Sequence, residues 1–217
     1  MATWIAHLRV AEAIKQDWPI EDYTAFLVGN LGPDCGEPNE DWTSFDPPSE
    51  ISHWSKTYKK STIDPEAFYQ AYLSEDWGDF YLGYYIHLQC DLIWDRLIGR
   101  VARQRFHAEF QSTPGFIWTI KEDWYAHDND FVKGHPGWEP LKRICQVSEF
   151  PNRYLDYYPE HAFTRQMAYI CNFYRTYPFH ERDFIYLSLE EYEAYIETAV
   201  REVHQILLDK TNQAGKS

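Results

Sequence analysis

Residues 77–96 read WGDFYLGYYIHLQCDLIWDR, a proline-free stretch in which Phe80, Tyr84 and Leu88 recur at helical spacing between two tryptophans. His87 and Asp91 lie four positions apart within it. On a helix, residues i and i+4 sit one turn apart on the same face, so this imidazole and this carboxylate can reach one point. Trp77, Phe80, Tyr84, Leu88 and Trp94 predict a helix surrounded by other protein, where a charge is costly unless paired or bound to a cation. Two readings follow. Either His87 is a core histidine hydrogen-bonded to a nearby acid, or His87 and Asp91 are half of a metal site.

The rest of the chain bears on that choice. Its 217 residues suit one domain with a sizeable core. The formal net charge of −14 argues against stable nucleic-acid binding, which draws on a basic face and counterion release. An acidic chain can still handle a phosphate ester if bound metal supplies local positive charge. The N-terminal MATWIAHLRVAEAIKQ is broken by His7, Arg9 and Glu12 and lacks the apolar core of a signal peptide, so a cytoplasmic location is expected. No apolar run approaches the roughly 18 residues that a transmembrane helix needs. Cys35, Cys90, Cys145 and Cys171 form no CxxC pair, and reduced, mostly buried thiols are the expectation.

Read in order, the chain predicts a succession of helices. Thr3 caps a first helix to about Gln16, with His7 on its apolar side. Glu21 or Asp22 opens a second, YTAFLVGN, which ends at residues favoured at C-caps. Residues 31–52, LGPDCGEPNEDWTSFDPPSEIS, are dense in Gly, Pro, Asp and Ser and read as a long ordered loop carrying Trp42 and Phe45. Asp64, Pro65 and Glu66 start a helix to about Leu73. Asp76 is the expected cap of the central helix, which can run on through Arg105 with Gly99 as a weak point. After the turn at Thr113-Pro114-Gly115 an amphipathic helix carries FIWTIKEDWYAHDNDF. The proline-rich 135–161 segment is expected to hold one short helix. Arg165 to Tyr177 and Leu189 to Leu208 read as the final helices, the latter opened by a Ser188–Glu191 capping box, and the tail from Lys210 is expected to fray. Strand-type alternation is scarce and no repeat is evident, so the fold class is all-α, a single compact multi-helix domain over residues 1–217.

Several polar residues are ambiguous one at a time. Asp34 in GPDCG can make an Asx-type turn. His53 follows the long loop. Lys56 to Lys60 reads as a solvated basic surface that could also meet an anionic group. Asp123, His127, Asp128 and Asp130 can form a solvated acidic face, yet Asp123 and Asp128 could serve one site if the helix bends there. His135 and Glu139 are four apart but straddle Pro136 and Gly137. His161, His180 and His204 read as structural or solvated. Taken together, His7, Asp34, His53, His87 and Asp91 offer five nitrogen and oxygen donors from separate segments. Such a set suits zinc or another divalent ion, and more than four donors point to two metals.

The segments WIAHLRVAEAI, FLVGNLGPDCGEPNEDW, PPSEISHW and LGYYIHLQCDLIWD, with KEDWYAHD and PNRYLDYYPE after them, resemble the zinc-dependent phospholipase C family, especially its short bacterial members. The resemblance covers residues 4 to about 160 and lies in the order, spacing and length of the pieces. It implies an α-helical fold around a zinc cluster of one to three ions, shared distantly with single-strand-specific nucleases of the P1 type. By motif, His7, Asp34, His53, His87 and Asp91 match ligand positions. Two features depart from the pattern. Secreted members bind metal through a processed N-terminal tryptophan, whereas Trp4 here follows Met-Ala-Thr. Their downstream HxxxE has no clean counterpart, so Asp123 and Asp128 stand in as further ligands or a water-orienting base.

The function expected is therefore a metal-dependent, zinc-type hydrolase of a small-molecule or lipid-like phosphoester, with metal lowering the pKa of water and Asp34 orienting or deprotonating it. An HD-type phosphohydrolase built on His127-Asp128, with His87 or His107 upstream, is the alternative within enzymes. A non-catalytic helical protein tied together by a structural metal, or a binding module with an aromatic surface, is the alternative outside them.

Overall fold

The computed structural model describes residues 2–41, 43–57, 59–178 and 182–214, so Trp42 and His180 lie outside the described residues. Among the described residues the fold is mostly helical, with one two-stranded ribbon, in keeping with the all-α expectation. Helix α1 spans Trp4–Asp17, and Thr3 caps it by accepting from the Ala6 N–H. Helix α2 spans Tyr23–Leu31, capped by Asp22 through the Ala25 N–H. The central helix α5 spans Asp79–Trp94 and is buried nearly all round, which is why its apolar pattern has no polar face.

Helix α2 lies along α5 more closely than side chains would permit. A Cβ added at Gly29 would stand 2.0 Å from the Phe80 carbonyl oxygen, and one at Gly83 would stand 2.1 Å from that of Phe26. These two glycines let the backbones touch. The crossing places the C-terminal turn of α2 against the middle of α5, where His87 is.

The 31–52 segment is more structured than a plain loop. It contains a 3-10 turn at Gly32–Asp34, the antiparallel strands β1 (Glu37–Pro38) and β2 (Phe45–Asp46), and a one-turn helix α3 (Ser49–Ser52). Helix α4 follows at Pro65–Tyr72 with Asp64 as its cap. Asp76 does not cap α5. Gly78 stands at that position without a side-chain bond, and Asp79 in the first turn instead accepts from the Glu21 and Asp22 N–H groups, tying α5 to the start of α2.

Helix α5 runs into a π-helical turn at Asp95–Gly99 and then into α6, Arg100–Arg105, so the helical path does reach Arg105 and is distorted at Gly99. Short α7 (His107–Ser112) and long α8 (Phe116–Gly134) follow, with Gly115 at φ +75° between them, a backbone state that suits glycine. Then come α9 (Glu139–Cys145), α10 (Ala162–Thr176) and α11 (Leu189–Ala214). The capping box forms reciprocally, Ser188 N–H to Glu191 and Glu191 N–H to Ser188 Oγ. Helix α11 continues to Ala214, with the Lys210 ammonium on Glu66 and over the Tyr69 ring, and residues 215–217 of the tail expected to fray lie outside the described residues.

The thiol expectation is also corrected in part. Cys145 at the end of α9 and Cys171 in α10 form a disulfide, their Cα atoms 5.5 Å apart. Packing of these two helices brings together cysteines whose spacing carries no motif. Cys35 and Cys90 are free and buried as expected. Among the described residues no helix is long and apolar enough to cross a membrane.

Candidate metal centre

Three separate elements bring His7, His53 and His87 into one buried cluster with Asp34 and Asp91. His7 comes from α1, and its ring stacks on that of His87 at 3.7 Å between centroids. His53 follows α3, and its turn is closed by Trp54 at φ +50°, a left-handed conformation uncommon for a non-glycine residue. The Trp54 indole N–H donates to the Tyr157 hydroxyl and anchors that turn.

The segment holding Asp34 is tied down through its carbonyls. The Tyr158 hydroxyl donates to Gly32 and Pro33, and Arg165 donates to Cys35 at 2.7 Å. The Tyr84 hydroxyl donates to the Ser52 carbonyl on the neighbouring α3. Helical and 3-10 ends leave such carbonyls without partners, and here aromatic hydroxyls from the core satisfy them.

Two of the three rings, His87 and His53, are oriented by what their other nitrogen meets. His87 Nδ1 lies 2.7 Å from the Asn30 carbonyl oxygen. A carbonyl only accepts, so Nδ1 carries the proton and Nε2 presents its lone pair. His53 Nδ1 lies 3.2 Å from the Ser49 carbonyl and 2.9 Å from Ser52 Oγ, which turns its Nε2 inward in the same way. This is the arrangement by which outer hydrogen bonds fix the tautomer of metal-ligating histidines.

The inward atoms converge. Candidate ligand atoms of His7, His87 and Asp91 lie within 4.8 Å of one another, as do those of Asp34, His53 and His87. Asp91 spans both groups: Oδ1 is 3.5 Å from His7 Nε2, while Oδ2 is 3.6 Å from His53 Nε2 and 3.9 Å from His87 Nε2. His53 Nε2 is 3.3 Å from Asp34 Oδ1. Ligands bound to zinc at about 2.0–2.1 Å in a tetrahedron stand roughly 3.3 Å apart, close to these separations.

The buried His7 Nδ1 and Nε2, His53 Nε2 and His87 Nε2 have no hydrogen-bond partner. Unsatisfied buried polar atoms are rare and costly. Lone pairs of neutral imidazoles facing carboxylate oxygens repel unless a cation stands between them, so the donor set fits a divalent metal better than it fits a hydrogen-bonded core. Burial, aided by the neighbouring His7, pushes the His87 pKa well down, and burial with nearby Lys60 lowers that of His53, which favours the neutral, ligating form. Burial works against the charge of Asp91, but nearby positive charge, Lys60 included, outweighs it and holds the carboxyl well below its ordinary range. Asp34 is likewise held low, with His53 and His87 outweighing its burial.

Sequence reasoning missed two contributors and left a third, Lys60, open between a solvated surface and an anionic partner. Lys60 turns inward from its basic run, its ammonium 3.5 Å from Asp91 Oδ2, while Lys56 pairs with Asp64 at the surface. The Ala2 N–H donates to Asp91 Oδ1 at 2.9 Å. Asn30 acts through its carbonyl, which no side-chain pattern reveals.

Asp123 and Asp128 are not brought to the cluster. Asp123 accepts from the Tyr186 and Leu187 N–H groups and lies 2.9 Å from Arg182 Nε. Asp128 is bonded by the hydroxyls of Thr3, Tyr174 and Tyr192. His127 Nε2 faces the Leu187 carbonyl at 2.8 Å, and its ring stacks on Phe184 and Tyr192, so both members of the adjacent pair required by the HD-type reading are engaged away from the cluster. Glu139 pairs with Arg143 on its own helix, and His135 is exposed against the Phe131 carbonyl.

A cleft of about 690 Å³ opens onto the cluster through Asp34 and His53, and α8 and α10 supply most of its aromatic wall. Comparison with known proteins finds no matching family model, curated protein or solved structure.

Proposed function

We propose that the chain is a metal-dependent hydrolase of phosphoesters, of the zinc-dependent phospholipase C type that its sequence resembles. The observation that carries this reading is the set of buried, unpartnered imidazole nitrogens on His7, His53 and His87 turned toward Asp34 and Asp91, with Asp34 and His53 also lining a cleft. His7 with one oxygen of Asp91 would serve one ion, and Asp34 and His53 with the other oxygen of Asp91 a second, the single Nε2 lone pair of His87 completing one of the two. A divalent ion bound there supplies Lewis acidity and makes water a nucleophile at neutral pH.

The chain's own part is to orient and exclude. Asn30 and Ser49 fix the His87 and His53 rings through their carbonyls. Asp34 lies on both the cluster and the cleft, where it can orient or deprotonate an attacking water. A cluster that only tied helices together would need no cleft beside it. The substrate class proposed is a small-molecule or lipid-like phosphoester, and zinc is the proposed ion.

Metal analysis of the purified chain, joined to a panel of phosphomonoester and phosphodiester substrates, tests this. Zinc uptake with hydrolysis lost on chelation is the expected result; no metal uptake, or uptake without turnover of any phosphoester, refutes it. If Asp34→Asn kept both its metal and the full rate, the role given to Asp34 would be wrong. A cytoplasmic location belongs to the same proposal, and the Cys145–Cys171 disulfide weighs toward an oxidising compartment instead. Alkylation of free thiols in intact cells decides it.

A further inference from the structure

The cleft carries both charge and flat apolar surface. Asp34 and His53 line it together with Trp118, which is 55% exposed, unusual for a tryptophan. Lys121 lines the same cleft from α8, one turn beyond Trp118, with its ammonium 4.8 Å from the centre of the Trp118 ring. It is partly buried and within electrostatic range of Asp34 and Asp91. Arg165, the other cation lining the cleft, is engaged by the Cys35 carbonyl and by Glu37. Among the described residues no carboxylate forms an ion pair with Lys121 within 4.0 Å.

A partly buried ammonium without a carboxylate partner is costly to hold. A chain of net charge −14 repels anions at long range. Positive charge at the cleft offsets that repulsion: bound metal would supply part of it, Lys121 is a fixed cation of the chain itself, and the ring beside Lys121 offers a face for a flat group.

Resting on the phosphoesterase reading, we infer that Lys121 is the anion-anchoring residue of the cleft, binding a non-bridging oxygen of a phosphoester whose aryl or similarly flat apolar substituent stacks on Trp118. Lys121 then sets substrate position and specificity without taking part in bond making. The lysine supplies charge and the tryptophan supplies area, so the two contributions separate on different ligands.

The test is calorimetric titration of the zinc-loaded full chain with inorganic phosphate and with phenyl phosphate, on wild type, Lys121→Gln, Lys121→Arg and Trp118→Ala, with zinc content measured on each. Phenyl phosphate is expected to bind about tenfold more tightly than phosphate. Lys121→Gln should weaken both ligands about tenfold with zinc content unchanged, and Lys121→Arg should restore most of that loss. Trp118→Ala should erase the advantage of phenyl phosphate and leave phosphate within about twofold. The inference is overturned if Lys121→Gln binds both ligands within about twofold of wild type, if its loss is accounted for by lost zinc, or if phenyl phosphate gains nothing over phosphate. Zinc loading and this binding pattern without turnover of any phosphoester would refute the hydrolase reading alone. Turnover by a Lys121→Gln variant with unchanged affinity would refute the inference alone, and a chain that takes up no metal would remove both.

Discussion

His87 Nδ1 donates to the carbonyl oxygen of Asn30 across a 2.7 Å gap between two helices. That bond exists because α2 and α5 touch through glycine: a Cβ on Gly83 would lie 2.7 Å from the Asn30 nitrogen and 2.1 Å from the Phe26 carbonyl oxygen. Gly83→Ala should force the helices apart. The expected cost is about 1–3 kcal/mol or more of stability from overpacking, with a 10- to 100-fold loss of zinc affinity from the released tautomer. Denaturant unfolding and zinc competition against a chelator measure the two effects. Gly134→Ala is the control, since nothing lies within 4 Å of a Cβ there. Lost stability with unchanged zinc affinity would refute the orienting role of Asn30.

Asp91 faces both halves of the cluster, one oxygen toward His7 and the other toward His53 and His87. Asp91→Asn should therefore impair every bound ion, whereas His7→Ala should impair one. The expected readout is a fall in zinc stoichiometry to near zero for the first and a partial fall for the second. Equal partial losses would mean that Asp91 serves a single ion.

How far this was legible in the sequence depends on whether a residue acts through its side chain and on its own helix. The i, i+4 placement of His87 and Asp91 follows from helical geometry, and the side of α1 bearing His7 follows from its apolar stripe. Their convergence with Asp34 and His53 did not follow from spacing; the notion of a cluster rested on counting donors and on a resemblance of segments. The Asn30 carbonyl is invisible to composition, and Gly29 and Gly83 matter only because of each other. Lys60 looked like part of a solvated run because nothing local says which lysine turns inward. Asp123 and Asp128 sit on the buried side of α8 as ligands would, and only the tertiary structure shows the Arg182, Tyr174 and Tyr192 partners that occupy them.

The Cys145–Cys171 disulfide joins α9 to α10, and α10 supplies Arg165, Tyr169 and Phe173 to the cleft. With a sequence separation of 26, its removal should cost about 3.5 kcal/mol if loop-closure entropy dominates. Cys145→Ser with Cys171→Ser, compared with wild type in thermal unfolding with and without reductant, checks this. Wild type in reductant should match the double variant. A double variant as stable as the oxidised protein would mean that helix packing alone holds α10.

Asp128 is fully buried, and burial raises its pKa from the usual 3.8 to about 6 in spite of the bonds from Thr3, Tyr174 and Tyr192. A carboxyl whose folded pKa is raised binds its proton more tightly in the folded state. Its stabilising contribution is present below the unfolded pKa and is lost as pH rises through about 6. Asp128→Asn keeps the shape without the titration, so the variant should gain on wild type between pH 4 and pH 7. The shift corresponds to at most about 3 kcal/mol over that range. Urea unfolding of both proteins at half-unit pH steps measures the difference. A difference that stays flat, or that runs the other way, would mean that Asp128 is ionised in the folded protein throughout and that the three hydroxyls stabilise its charge.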